Sequence, residues 1–273
     1  MSSVIAETIE IIKEKSPGPL EEVRLEDLAI GVFFTGVKLS TGHGGCAFTP
    51  ISEIPEAVCC PTSAARMPPA GNLEGKPISE ILNYSLDPNV LKSAIGIATL
   101  NGLSQWIIES GNEREYEVVK DRDGFDLLDI QTHETVSLVG AFTPYIKRLK
   151  AMGNPFYIIE KNRQTLRPDE MKHFKPESEM KTAIENSQVV IITGTAIVNH
   201  TIDATLSWTN HEKRTAIIGP TASLIPDAFF RRGVNVMAGV RILNANLMLN
   251  LLKQGGSAYH LLKECSEKIA FVG

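Results

Sequence analysis

At 273 residues, 43% apolar and 22% charged, the chain carries enough apolar material to bury a real core, which excludes a disordered or fibrous protein. A formal net charge of −5, with no run of five like charges, argues against a nucleic-acid binder. Four cysteines in a chain this long do not make a disulfide framework, so they are expected as reduced thiols.

The first residues, MSSVIAETIEIIKEK, carry acids within their apolar pattern, which argues against a signal peptide. Val4, Ile5, Ile9 and Ile12 share one face of an expected helix over 4–15, stopped by Pro17-Gly18-Pro19. Residues 23–30 and 32–39 read as strands of an antiparallel meander. A glycine-rich loop follows, Thr41-Gly42-His43-Gly44-Gly45-Cys46, and a strand is expected to resume over 47–49. Residues 63–72 are irregular. A short helix is expected over 78–84 and a long one over 90–109, apolar on most sides and therefore buried. Residues 112–130 are the most charged part of the chain. They read as a crossing between an α+β half, 1–112, and a second half, 113–273.

In the second half short β-branched runs alternate with helical stretches: 136–139, 156–159, 189–193, 215–218 and 234–240. That rhythm predicts βαβ units and a mostly parallel α/β sheet. Thr143-Pro144 supplies a helix cap followed by proline, and 244–254 reads as an amphipathic helix closed by Gly255-Gly256. Residues 269–272 are a late strand or a tail. No apolar stretch approaches the length of a membrane span, and a cytoplasmic location is the default expectation.

Four constellations can carry chemistry. Gly140 ends a strand before a helix N-terminus, and Glu160 ends the next strand twenty residues on, the offset of a ribose-binding acid in dinucleotide folds. The full G-x-G-x-x-G is absent, so a nucleotide site competes with a plain turn and a solvated strand end. Thr193-Gly194-Thr195, with Asn199 and Thr201 beyond, follows the most apolar strand; its hydroxyls and amide either bind a polar ligand or cap the next helix. Gly219-Pro220 opens a similar loop. In the glycine loop, Gly42, Gly44 and Gly45 let backbone approach a ligand closely, and His43 and Cys46 are metal donors three positions apart. Cys59-Cys60 can add one ligand at most, and a flexible hairpin tip explains the same residues. Asn101, inside the apolar helix, either holds a neighbouring loop or faces a cleft between the halves. Arg66 is either an anion contact or an ordinary surface arginine.

Together, Gly36-Val-Lys-Leu with Gly42-His-Gly-Gly, the run 93–101 (SAIGIATLN), Val139-Gly-Ala-Phe-Thr-Pro144, Thr193-Gly-Thr-Ala-Ile-Val-Asn199 and Ile218-Gly-Pro-Thr-Ala-Ser-Leu-Ile-Pro226 make the chain resemble the putative heavy-metal chelation family. The resemblance implies an enolase-N-terminal-like α+β domain followed by a Rossmann-like domain, with a ligand cleft between them. It implies a cleft lined by the glycine loop, Asn101, Glu160 and the turns at Gly140, Thr195 and Gly219.

The leading expectation is a cytosolic protein, not bound to membrane or nucleic acid, whose cleft takes a small anionic or metal-chelating molecule. If a divalent or heavy metal ion binds, His43, Cys46 and Glu160 are the expected donors. An enzyme using NAD or S-adenosylmethionine, with Gly140 at the turn and Glu160 on the ribose, is the second reading; a scaffold for a metallocofactor pathway is the third. A homodimer is the base-rate expectation.

Overall fold

The computed structural model describes residues 2–54, 67–111 and 113–273. Cys59, Cys60, Arg66 and part of the irregular stretch 63–72 lie outside them.

Helix α1 (Val4–Lys15) opens the chain, its first turn capped by the Ser3 hydroxyl. Strands β1 (Leu25–Ile30), β2 (Phe34–Leu39) and β3 (Gly44–Phe48) form the antiparallel meander. The second half of the glycine loop, Gly44–Cys46, is therefore strand, and Thr41–His43 form the turn. Helices α2 (Ile78–Leu82) and α3 (Val90–Glu109) follow. Asn89, whose side chain accepts from the N–H groups of Leu91 and Lys92, caps α3.

Helix α3 is buried around its circumference because it serves two layers. One side lies under the small sheet, so closely at Gly45 that an added Cβ would sit 2.1 Å from the Ala98 carbonyl oxygen. On another side the Ser93 hydroxyl donates to the Val198 carbonyl, and the Ser104 hydroxyl accepts from the Ile225 N–H, both in the second half.

The second half builds an eight-stranded sheet from β4 (Glu117–Lys120), β5 (Val136–Val139), β6 (Phe156–Ile159), β7 (Phe174–Lys175), β8 (Val189–Thr193), β9 (Arg214–Ile218), β10 (Val236–Ile242) and β11 (Ser266–Val272). Their spatial order is β4-β11-β10-β9-β8-β5-β6-β7. Neighbours pair in parallel from β10 to β7, and β11 is antiparallel to both β10 and β4. The late residues are thus an inner strand of this sheet. Helices α4 (Thr143–Met152), α5 (Met180–Glu185), α6 (Thr195–Val198), α7 (Ile202–Leu206), α8 (Asp227–Phe230), α9 (Ala245–Lys253) and α10 (Ala258–Glu264) connect the strands. Helix α4 starts one residue earlier than Thr143-Pro144 implies: Phe142 holds the cap position and Pro144 is the second helical residue.

The parallel strands are apolar throughout because both faces are covered. Along β8, Val190 and Ile192 enter one hydrophobic cluster, with α3 and the small sheet, while Val189 and Ile191 enter another, under α4. The first cluster runs without a break from Val4 and Leu39 to Ile217 and Phe229, so the two halves share a core. They also exchange elements. Leu252 and Met248 of α9 cover β2 where Gly36 leaves room, placing the small sheet between α3 and a helix from the second half. Among the described residues no helix is long and apolar enough to cross a membrane.

Candidate functional site

From β5 the chain winds outward to β6 and β7, then returns to β8 on the other side of β5. The carboxyl ends of the strands diverge at such a reversal and leave a crevice. Here a cavity of about 480 Å3 lies beside it, over the carboxyl ends of β8 and β9 and the middle of β10. Its floor is made by Thr193-Gly194-Thr195, Ile218-Gly219-Pro220-Thr221 and Ala238-Gly239.

Two aromatic pairs line the cavity. Phe142 and Tyr145, at the start of α4, are stacked with ring centroids 5.3 Å apart. Phe34 and Phe48, from β2 and β3, meet edge to face at 6.2 Å. Ala258 and Leu262 of α10 close a third side. The small sheet is held in register with the floor by hydrogen bonds. The Phe48 N–H donates to Thr221 Oγ1 at 2.9 Å, and Asn101 Nδ2 donates to the carbonyls of Cys46 (2.7 Å) and Thr221 (3.1 Å). With a shared core behind it, this cavity is formed before any ligand arrives.

The charged lining comes from Arg122, Asp123 and Lys268. The loop bearing the first two can cross the sheet closely because Gly124 follows: a Cβ there would lie 2.7 Å from the Ala238 side chain. Asp123 Oδ1 accepts from the Tyr145 hydroxyl at 2.7 Å and the Phe125 N–H at 3.1 Å, and Oδ2 accepts from Lys268 Nζ at 3.1 Å. Burial pushes the Asp123 carboxyl up, but these bonds outweigh it and hold the group below its ordinary range. Burial, then the bond to Asp123, drives the Tyr145 hydroxyl far above the usual phenol range. Arg122 is exposed at the rim and makes no side-chain hydrogen bond or ion pair with any described residue.

Of the residues singled out by sequence, Thr195, Gly219 and Pro220 line this cavity. The others lie elsewhere. Gly42 is at the exposed tip of the β2–β3 turn, and Gly44 and Gly45 are packed against α9 and α3. The His43 ring bonds Thr41 through Nδ1 at 2.9 Å and Glu109 through Nε2 at 3.3 Å. Cys46 is buried in the cluster that holds Cys265. Burial, and then Cys265, pushes its thiol up to about 12, so it is not a ready thiolate donor. Asn101 is the loop-holding residue of its two readings. Glu160 accepts the N–H groups of Ala141 (3.0 Å) and Asn162 (3.1 Å), bracing the Gly140 turn. Asn199 accepts from the Thr201 hydroxyl and N–H, closing a local turn ahead of α7. His43, Cys46 and Glu160 are not gathered into one site. Among the described residues no group of three or more His, Cys, Asp or Glu side chains is placed to hold a metal ion.

Phe34, Phe48, Arg122, Asp123, Tyr145 and Lys268 were not singled out by sequence reasoning. They come from separate elements, and the one local signal is the turn dipeptide Asp123-Gly124 within a stretch read as a charged crossing.

The comparisons with known proteins agree with this fold. Two family models, both described as putative heavy-metal chelation, match residues 14–104 and residues 123–271, the second being more than half of the chain. An uncharacterized protein of Methanocaldococcus jannaschii is 26% identical over 196 residues, 71% of each chain. The crystal structure of a protein of unknown function from the DUF364 family of Pyrococcus horikoshii superposes with a TM-score of 0.76 at 20% identity, over 99% of this chain and 100% of that one. A second, from Desulfitobacterium hafniense, gives 0.71 at 16% identity, over 98% and 99%. At these identities the two structures share the fold with this chain, and the two matched models together place it: the chain belongs to the putative heavy-metal chelation family.

Proposed function

We propose that the cavity over β8–β10 is a binding site for a small organic chelating molecule, and that any metal enters it held by that molecule. The observation that carries this reading is the wall itself. Four aromatic rings and a mostly apolar surround enclose a space of the size that takes a small organic ligand. Among the described residues the lining has no histidine or cysteine, and its one carboxylate, Asp123, is occupied by Tyr145, Lys268 and a backbone N–H. A naked heavy-metal ion needs several deprotonated donors converging on one point. The described residues do not provide that set, so the donors belong to the ligand. The metal in this reading is supported by the description of the family.

The nucleotide-cofactor reading has no such support. It needs the Gly140 turn open to a pyrophosphate and Glu160 open to a ribose; instead Glu160 is bonded back onto the Ala141 N–H, and neither Gly140 nor Glu160 lines the cavity.

The test is metal retention. The purified protein is incubated with Ni2+ alone, with quinoline-2-carboxylate alone, and with both, then desalted and analysed for metal. Retention near one equivalent only when the chelating acid is present is the expected result. Equal retention of Ni2+ alone, abolished by a His43→Ala/Cys46→Ala pair, would restore side-chain chelation and overturn the reading.

A further inference from the structure

We infer that the ligand of this cavity is an aromatic monocarboxylate, and that Arg122 is the residue that reads its carboxylate. The inference rests on the cavity being the binding site and adds the class of ligand.

Charge is the first argument. Among the described residues, Arg122, Asp123 and Lys268 are the charged side chains of the lining. Lys268 is neutralised by Asp123 at 3.1 Å, and the Tyr145 hydroxyl donates its hydrogen bond to the same carboxylate. Those three groups satisfy one another. Arg122 is left over, with no ion pair or side-chain hydrogen bond among the described residues. A cavity with one uncompensated positive charge favours an anion of charge −1. The planar guanidinium matches a carboxylate with two parallel N–H···O bonds.

Shape is the second. The stacked pair Phe142–Tyr145 comes from the second half and the edge-to-face pair Phe34–Phe48 from the first. Four rings lining one cavity suit a flat apolar body better than a sugar or a polyphosphate. Asp123, fixed as a carboxylate by its three donors, also repels a second negative charge placed beside the first.

The inference is tested by calorimetric titration of the full chain with quinoline-2-carboxylate, its uncharged carboxamide and inorganic phosphate, using the wild type, Arg122→Gln and Ala258→Trp. The acid is expected to bind at least ~10-fold more tightly than the amide, the range of a charge-assisted hydrogen bond. Phosphate alone should not compete. Arg122→Gln, an exposed change that leaves folding intact, should bring acid and amide within about twofold of each other. Ala258→Trp, which fills the cavity, should weaken both. If acid and amide bind alike in the wild type and Ala258→Trp still weakens them, the cavity reading stands and the role of Arg122 is overturned. If Arg122→Gln keeps the preference for acid, Arg122 is again excluded. Should neither compound bind, or should Ala258→Trp change nothing, the cavity reading fails and this inference with it. Phosphate binding tighter than the acid would replace the carboxylate by a phosphoryl ligand.

Discussion

Two glycine-bearing regions of this protein look alike in sequence and do opposite work. In the β2–β3 hairpin the space beside Gly44 and Gly45 is taken by α9 and α3. At the strand-end turn of Gly219 an added Cβ would find only the Gly194 nitrogen, at 3.9 Å, and the backbone borders the cavity. A missing side chain permits close approach in both cases. What approaches is decided by the neighbours: a helix buried around its circumference in one region, an aromatic-walled slot in the other. Glycine density alone therefore does not mark a ligand site. Position relative to the carboxyl ends of a wound sheet is the better guide.

Substitutions can break that contrast, in descending order of effect. Gly45→Val would drive side-chain atoms into the backbone of α3 at Ala98 and Gly102. We expect a loss of at least ~3 kcal/mol, or failure to fold, in urea unfolding. Asn101→Leu leaves the Cys46 and Thr221 carbonyls without their amide donor and unfastens the small sheet from the cavity floor. A loss of about 2 kcal/mol is expected, with weaker ligand binding because the Phe34–Phe48 wall is no longer held. Asp123→Asn should be milder at neutral pH, on the order of 1 kcal/mol.

The Asp123 variant also carries a pH signature. Tyr145, the Phe125 N–H and Lys268 more than offset burial and hold the folded carboxyl below its ordinary value of 3.8. A group depressed in the folded state stabilises fully above its unfolded pKa and loses that contribution as pH falls through the folded one. The stability gap between wild type and Asp123→Asn should therefore be constant above pH ~5 and close progressively below pH ~4. A gap that widened on acidification would mean that the carboxylate is not the stabilising form. Smallest of all should be Gly42→Ala, within the same hairpin as Gly45. Nothing lies within 4 Å of its added Cβ, and only the left-handed φ of +87° opposes it, so about 1 kcal/mol is expected. A Gly42 effect as large as that of Gly45 would erase the distinction between turn and packing glycines.

Much of the fold is legible in the chain because period and punctuation are local. The runs at 136–139, 156–159 and 189–193 are β5, β6 and β8, and the run 90–109 is α3. Helix α9 ends where Gly255 and Gly256 follow it. Less legible is what depends on distant partners. Residues 266–268 look polar, yet β11 is paired on both sides, and Lys268 is polar because it faces Asp123. Two separate halves were expected; the shared core through α3 and the placement of α9 on β2 depend on contacts between residues more than a hundred positions apart. The cavity has the same character. Thr195, Gly219 and Pro220 are visible as strand-end turns. Arg122 sits in a charged stretch where only the folded neighbours show that Asp123 and Lys268 cancel and Arg122 does not. His43 has the residue type and spacing of a metal donor but spends its ring on Thr41 and Glu109.

The most direct measurement of the central claim is a crystal structure of the protein with nickel and quinoline-2-carboxylate, with anomalous scattering collected at the nickel edge. The account predicts one nickel peak inside the cavity over Thr193–Thr195 and Gly219, coordinated by the chelating acid, with no histidine, cysteine or carboxylate of the protein bonded to it. A peak held directly by His43, Cys46, Glu160 or another set of protein side chains, with the cavity left to solvent, would contradict it.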